Sequence, residues 1–307
     1  MNKIYEVSHG AGTPMLTNKQ RFFNNILLAT DFSPASDRAL GYAASLARHY
    51  SSTIYLTHII TLDGYPMVSP EFAASSFQKR HARAEHKFRE LLKSGRLFAL
   101  PYKAVVQEGN LWPAIEGLIE KYHVDLVVVG THGMGAVRKI LIGSRAEEIF
   151  RNARVPVLTV GPSTRKEPMY ELEFKNILFA TDFGRSAERE AEYAFSLAQE
   201  HCSRLRLAHV FPHPQTSGED TLALEKENIV AQLRELVPGG TGLRCKLDFQ
   251  VAVGEPVAEI LQIATETNAD LIVMGAKKRE TLAGNVPLTT AYRVVCGAPC
   301  PVLTVRS

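Results

Sequence analysis

Nowhere does this 307-residue sequence approach the roughly 20 consecutive apolar residues that a membrane-spanning helix needs. Its first residues, MNKIYEVSHGAGTPMLTNKQR, lack the apolar core of a secretory leader. The expectation is a cytoplasmic protein with no membrane span and a flexible segment over residues 1–20. Charge of one sign is also missing. Thirty-five Lys and Arg against 32 Asp and Glu leave a formal charge of +3, without the dense basic stripe of a nucleic-acid binder. Cysteine is scarce: Cys202, Cys245, Cys296 and Cys300 all fall in the second half. Cys296 and Cys300 have no second pair or nearby histidine to complete a metal-ligand set, so reduced core thiols are expected.

The sequence does have an internal repeat. Residues 23–33, FNNILLATDFS, return at 174–184 as FKNILFATDFG. The offset of 151 continues through Ser45 and Ser196, Leu46 and Leu197, and His58 and His209. It then becomes 145, matching Gly109 with Gly254, Asp125 with Asp270, Gly130 with Gly275, and VPVLTV (155–160) with CPVLTV (300–305). So many matches in order mean duplication, with a small loop deletion in the second copy.

Each copy alternates short apolar runs with helical periodicity. In the first, the strands are NILLAT (25–30), TIYLTHI (53–59), YKAVVQEG (102–109), DLVVVG (125–130) and VPVLTV. Ser33-Pro34 reads as an N-cap with proline at the first helical position. A charged amphipathic helix carries Ala84, Phe88, Leu91 and Leu92 on its apolar face, and two further helices cover 111–122 and 144–152. The second copy repeats the order, with helices near 220–236, 256–267 and 290–296. This predicts an α/β fold of two tandem doubly wound, mainly parallel five-stranded sheets with helices on both faces, a Rossmann-like arrangement. The domains are expected at 21–162 and 173–307, with the polar, proline-bearing stretch 163–172 as linker.

In such sheets ligands bind beyond the carboxyl ends of the strands. There the first copy has Asp31 after its first strand and Gly130 at the end of its fourth. The stretch that follows places glycines at 130, 133 and 143, with Ser144 opening a helix. Gly130 and Gly133 let backbone N–H groups approach an anion, and Gly143-Ser144 adds a hydroxyl and the positive end of a helix. Arg138 and Lys139 can neutralise remaining charge. The pattern is neither the dinucleotide fingerprint G-x-G-x-x-G nor the P-loop G-x-x-x-x-G-K-[ST].

ATDFS near the start, G-x-x-G then nine intervening residues and G-S, and then PVLTV together resemble the universal stress protein family, in a tandem two-domain form. The resemblance covers nearly the whole chain after about residue 22. It implies ATP as the bound nucleotide, with or without Mg. By similarity, Ala29, Asp31 and Ile59 would border adenine and ribose, and Val129 and Gly130 would line the base side. Gly130, Gly133, Gly143 and Ser144 would hold the phosphates, with Arg145 at the edge. The fifth strands, VPVLTV and PVLTV, would pair within one chain as a pseudo-dimer, with or without dimerisation of whole chains. A protein partner is implied but not identified.

The second copy departs from this pattern. Gly275 remains, but Lys278 stands for the second glycine, Leu288 for the glycine before the hydroxyl residue Thr289, and Pro287 removes an N–H. It is read as a degenerate copy kept for packing, or as one that holds another anion through Lys277, Lys278 and Arg279. His58 and His209 are read as hydrogen-bonded groups at strand–loop junctions, and the run KRHARAEHKFRE (79–90) as a solvated helix face. No nucleophile–base–orienter set is visible, and Glu147 and Glu148 are distant candidates for metal. The leading reading is therefore an ATP-binding regulatory protein of the stress response without dedicated catalysis. An ATP-dependent phosphotransferase or hydrolase, and a non-nucleotide interaction scaffold, are the alternatives.

Overall fold

The computed structural model describes residues 5–9, 22–61, 70–131, 142–164, 172–211, 219–239, 244–276 and 289–306. The chain divides into two compact units. Unit 1 takes Met1–His132, Gly143–Val155 and Glu167–Leu172, and unit 2 takes Gly133–Ile142, Pro156–Lys166 and Glu173–Ser307.

In unit 1, β1 (Tyr5–His9) is followed by β2 (Asn25–Ala29), α1 (Pro34–Tyr50), β3 (Thr53–Ile60), α2 (Pro70–Lys93), β4 (Tyr102–Glu108), α3 (Leu111–Tyr122), β5 (Leu126–Gly130) and α4 (Ser144–Asn152). Its strands lie in the order β1-β4-β3-β2-β5. All pairs are parallel except β1 on β4. Ile26, Leu27 and Leu28 of β2 have no exposed surface, as a parallel strand covered on both faces requires. The Asp125 carboxylate accepts the backbone N–H groups of Asn24 at 2.8 Å and Asn25 at 3.2 Å, which ties the start of β2 to that of β5. α1 begins as its sequence dictates: Pro34 stands in the first turn and the Ser33 hydroxyl accepts the Ser36 N–H at 3.3 Å.

Unit 2 repeats the plan with β7 (Asn176–Ala180), α5 (Ala187–Glu200), β8 (Arg204–Phe211), α6 (Glu219–Glu235), β9 (Lys246–Val253), α7 (Pro256–Glu266), β10 (Leu271–Gly275), α8 (Thr290–Gly297) and β11 (Val302–Val305). Asp270 here accepts the N–H groups of Lys175 and Asn176, each at 3.0 Å, as Asp125 does in unit 1. The unit also contains β6 (Val157–Val160), the last strand of the first repeat, antiparallel to β11 with Leu158 opposite Leu303. The order is β6-β11-β10-β7-β8-β9.

The doubly wound, mainly parallel α/β class is the one expected. Two features were not anticipated. Residues 5–9, within the segment read as flexible, add an antiparallel strand to β4, and all of VPVLTV after Val155 falls in unit 2 although it ends the first repeat.

Candidate functional site

The end of β2 is held in a fixed shape before α1 starts. The Asp31 carboxylate accepts the Ser33 N–H at 2.9 Å, and the Thr30 hydroxyl accepts the Phe32 N–H at 3.0 Å while donating to the Ser36 hydroxyl at 3.0 Å. Phe32 takes the left-handed conformation, φ 61°, that this tight exit demands. Beyond the strand ends lies a small pocket of about 40 Å3, whose lining includes Ala29, Asp31, Ile59, Val129, Gly130 and Arg145. Six of the nine residues expected to hold nucleotide thus meet at one place. Gly143 and Ser144 form the head of α4 next to Arg145 but do not line this pocket. Gly133 lies outside the described residues, as do His132, Arg138 and Lys139.

Gly130 has a packing reason to be glycine. A Cβ there would lie 2.2 Å from the Ala35 carbonyl oxygen and 2.7 Å from the Ser36 nitrogen, because the first turn of α1 crosses directly over the end of β5. The helix start and the strand end can approach this closely only without a side chain.

A second pocket, of about 270 Å3, shares Asp31, Ile59 and Arg145 with the first. Arg80, Arg83 and Lys87 of α2 line it together with His58. Arg80 donates to the Thr61 carbonyl at 3.2 Å and Arg145 to the Thr61 hydroxyl at 3.1 Å, so two guanidinium groups converge on one residue. The run 79–90 is therefore not simply a solvated face. Residues 80, 83 and 87 share the i, i+3, i+7 stripe that turns toward the strand ends, and that spacing was the available signal. His58 Nδ1 lies 2.8 Å from the Thr30 carbonyl, which can only accept, so Nδ1 carries the hydrogen. Burial holds its imidazole below the usual pKa, with Arg145 and Lys87 adding to that effect and the Thr30 bond and Asp31 opposing it. His209 makes the same bond to the Thr181 carbonyl, also at 2.8 Å.

The carboxylates considered for metal work are occupied structurally. Glu147 pairs with Arg151, and Glu148 accepts the Trp112 N–H at 3.1 Å at the start of α3, where the N-cap residue Asn110 makes no side-chain cap.

The corresponding crevice in unit 2 is much larger, a cavity of about 580 Å3. Its lining includes Ala180, Asp182 and Gly275, the counterparts of Ala29, Asp31 and Gly130. Lys277, Lys278, Arg279, Pro287 and Leu288 lie outside the described residues.

Fold and crevices together define a tandem doubly wound α/β protein whose candidate sites lie beyond the carboxyl ends of its strands. The sequence model of the Universal stress protein family matches residues 22–161 and again residues 173–306, and the chain belongs to that family. It is 36% identical over 141 residues to the "Universal stress protein in QAH/OAS sulfhydrylase 3'region" of Thermus aquaticus, covering 43% of this chain and 99% of that one. A universal stress protein of Mycolicibacterium smegmatis is 24% identical over 296 residues, covering 92% of this chain and 96% of its own, so it shares the tandem length. In fold, the chain resembles the crystal structure of a universal stress protein from Archaeoglobus fulgidus at TM-score 0.67 and 21% identity, covering 93% and 99% of the two chains.

Proposed function

We propose that this protein is an ATP-binding regulator of the stress response, with the nucleotide held in unit 1. The observation that carries the reading is the convergence of Asp31, Ile59 and Arg145 on both unit 1 pockets, one apolar and one cationic. Adenine and ribose are assigned to the inner pocket, between Ala29, Ile59 and Val129, with Asp31 toward the ribose. The phosphates are assigned to the outer side. Arg145, Arg80, Arg83 and Lys87 would neutralise them there, and the N-terminus of α4 at Gly143-Ser144 adds its positive end. Gly133 is assigned to the phosphate loop by its place in the sequence pattern.

The inner pocket holds about 40 Å3, far below the roughly 300 Å3 at which ligand sites begin, so seating a base requires it to widen. That requirement gives the regulation a physical form. A nucleotide that binds only the widened state shifts the chain toward it, and a partner reads the difference. Glu147 and Glu148 are committed to Arg151 and Trp112, which favours binding over dedicated turnover.

Titration calorimetry of the full chain with ATP, with and without Mg, tests the reading. One ATP per chain is expected, with affinity lowered about tenfold by Lys87→Glu, since a charge-assisted contact to phosphate contributes about 1.5–3 kcal/mol. ATP binding that is indifferent to Lys87→Glu and Arg145→Glu would overturn the assignment.

A further inference from the structure

The two repeats finish their sheets differently. In unit 1 the outer edge of β4 carries β1, with His9, Val7 and Tyr5 opposite Tyr102, Ala104 and Val106. Ala104, Val105, Val106 and Gln107 are all buried. In unit 2 the equivalent strand is β9, and it ends the strand order. Among the described residues no strand pairs with its outer edge, and none of its residues is buried. The two ends of the β8–β9 ladder show which backbone groups that edge offers. The Lys246 N–H donates to the Ser203 carbonyl and the Gly254 N–H to the Phe211 carbonyl, each at 3.0 Å. Backbone direction alternates along a strand, so the even-numbered residues face β8, and Leu247, Phe249, Val251 and Val253 turn their N–H and C=O groups outward. They are the counterparts of Tyr102, Ala104, Val106 and Glu108, the first three of which pair with β1 in unit 1. The guards that proteins place on open edges are missing here. KLDFQVAV has no proline or glycine, none of its four outward residues is charged, and Asp248 is held by Arg204 at 3.6 Å and Arg206 at 3.2 Å.

We propose that β9 is an interface for a second copy of this chain, the two β9 strands pairing antiparallel across a two-fold axis at Gln250. The axis stands perpendicular to the sheet, which keeps like faces together. With this centre Phe249 meets Val251 of the second copy and Leu247 meets its Val253, so all four outward residues exchange both backbone bonds. A centre at Phe249 would leave Val253 with no partner in the second β9. The charges also fit. Asp248 comes opposite Ala252 of the second copy, and exposed Lys246 comes opposite its Gly254, next to the acidic Glu255. Apolar surface is added by α6, which packs over β9 with the Arg234 guanidinium 5.6 Å from the Phe249 ring. This helix carries Leu224, a leucine left 59% exposed, and the axis places the α6 helices of both copies on the same face, flanking the seam. The edge is thus complementary to itself in register, charge and apolar face, which selects a second copy over a strand of another protein. This proposal does not depend on nucleotide binding in unit 1.

Sedimentation velocity of the full chain, without nucleotide, is expected to show a dimer. Val251→Pro removes an outward N–H from each copy but leaves the β8 ladder whole, as proline on an edge strand can. It should weaken the dimer about tenfold or more, with the far-UV circular dichroism of wild type. Gln250→Cys in a Cys202→Ser background tests the register. The two copies of residue 250 would form a non-hydrogen-bonded pair with Cα atoms about 4.5 Å apart, within reach of a disulfide. Oxidised glutathione should link this variant into a covalent dimer. Ala252→Cys in the same background should stay unlinked, since its two copies would lie about 13 Å apart. Val7→Pro, which disrupts the pairing of β1 with Ala104, should leave the dimer intact. The proposal is overturned by a monomer at a chain concentration of about 100 μM, or by a folded Val251→Pro that dimerises as tightly as wild type. It is equally overturned if Ala252→Cys links as readily as Gln250→Cys, or if Val7→Pro abolishes the dimer, which would make a swapped β1 the occupant.

Discussion

Adding one methyl group at Gly130 should damage the protein far more than at its counterpart, Gly275. At Gly130 the new Cβ would lie 2.2 Å from the Ala35 carbonyl oxygen, 2.4 Å from the carbonyl carbon and 2.7 Å from the Ser36 nitrogen, where ordinary contact begins at 3.4 Å. All three are backbone atoms in the first turn of a helix, fixed by the Ser33 cap and the Thr30–Ser36 hydroxyl bond. Relief therefore requires α1 to lift from β5 by more than 1 Å along part of a tightly packed interface. Overpacking of this kind costs about 1–3 kcal/mol, and with no flexible atom to yield the upper end applies. For a unit of this size that corresponds to a fall in melting temperature of about 6–12 °C. At Gly275 the obstacle is the Glu190 side chain, which can rotate, so about 1 kcal/mol is expected. In a Glu190→Ala background, Gly275→Ala should cost less than half of that. Urea unfolding followed by far-UV circular dichroism reads all four variants. A Gly130→Ala midpoint equal to wild type, or a Gly275→Ala cost identical in both backgrounds, would refute the packing account of these glycines.

Three further outcomes are expected. Ser33→Ala removes the N-terminal side-chain cap of α1 and should cost about 1 kcal/mol in the same urea assay. Asp125→Ala strands the N–H groups of Asn24 and Asn25 at the start of β2, and should cost about 1–3 kcal/mol. His58 is held below its unfolded pKa by burial, so the unfolded chain binds the proton more readily. Its contribution is complete above the unfolded value of about 6.5 and is lost as pH falls below that toward the folded pKa. Wild type should accordingly lose more stability between pH 7 and pH 5 than His58→Gln does, measured by thermal unfolding at each pH.

The parallel strands were legible because their burial on both faces leaves no polar alternation: NILLAT and DLVVVG have almost nothing else to be. α1 was legible because Ser33 and Pro34 are local instructions that need no tertiary context. β1 was not, since YEVSH carries no strong apolar run, and its strand state comes from pairing with β4, nearly a hundred residues away. The cationic pocket was half legible: the spacing of Arg80, Arg83 and Lys87 sets one face, but only the crossing of α2 over β3 shows that this face meets Asp31 and Arg145. Glu190 was invisible for a different reason. A glutamate at helical spacing reads as solvent-facing, yet this one is buried against Gly275 at the end of β10, in a copy whose helix starts at Ala187, two residues later than α1 does.

The later start of α5 makes the divergence of the two crevices reversible in principle. If Pro34 and Ser33 are what closes the floor in unit 1, then Gly184→Ser and Arg185→Pro together with Glu190→Ala should extend α5 backward over the end of β10. Proline at a compatible helix start stabilises by about 0.4–1 kcal/mol through the unfolded chain, and a capping serine adds a comparable amount. The triple variant should therefore be more stable than Glu190→Ala alone, and its cavity should shrink toward the size of that in unit 1. Glu190→Ala by itself should leave the cavity open, because the helix would still start at Ala187. A crystal structure of the triple variant in which α5 still starts at Ala187 would show that the opening is set by something other than these two residues.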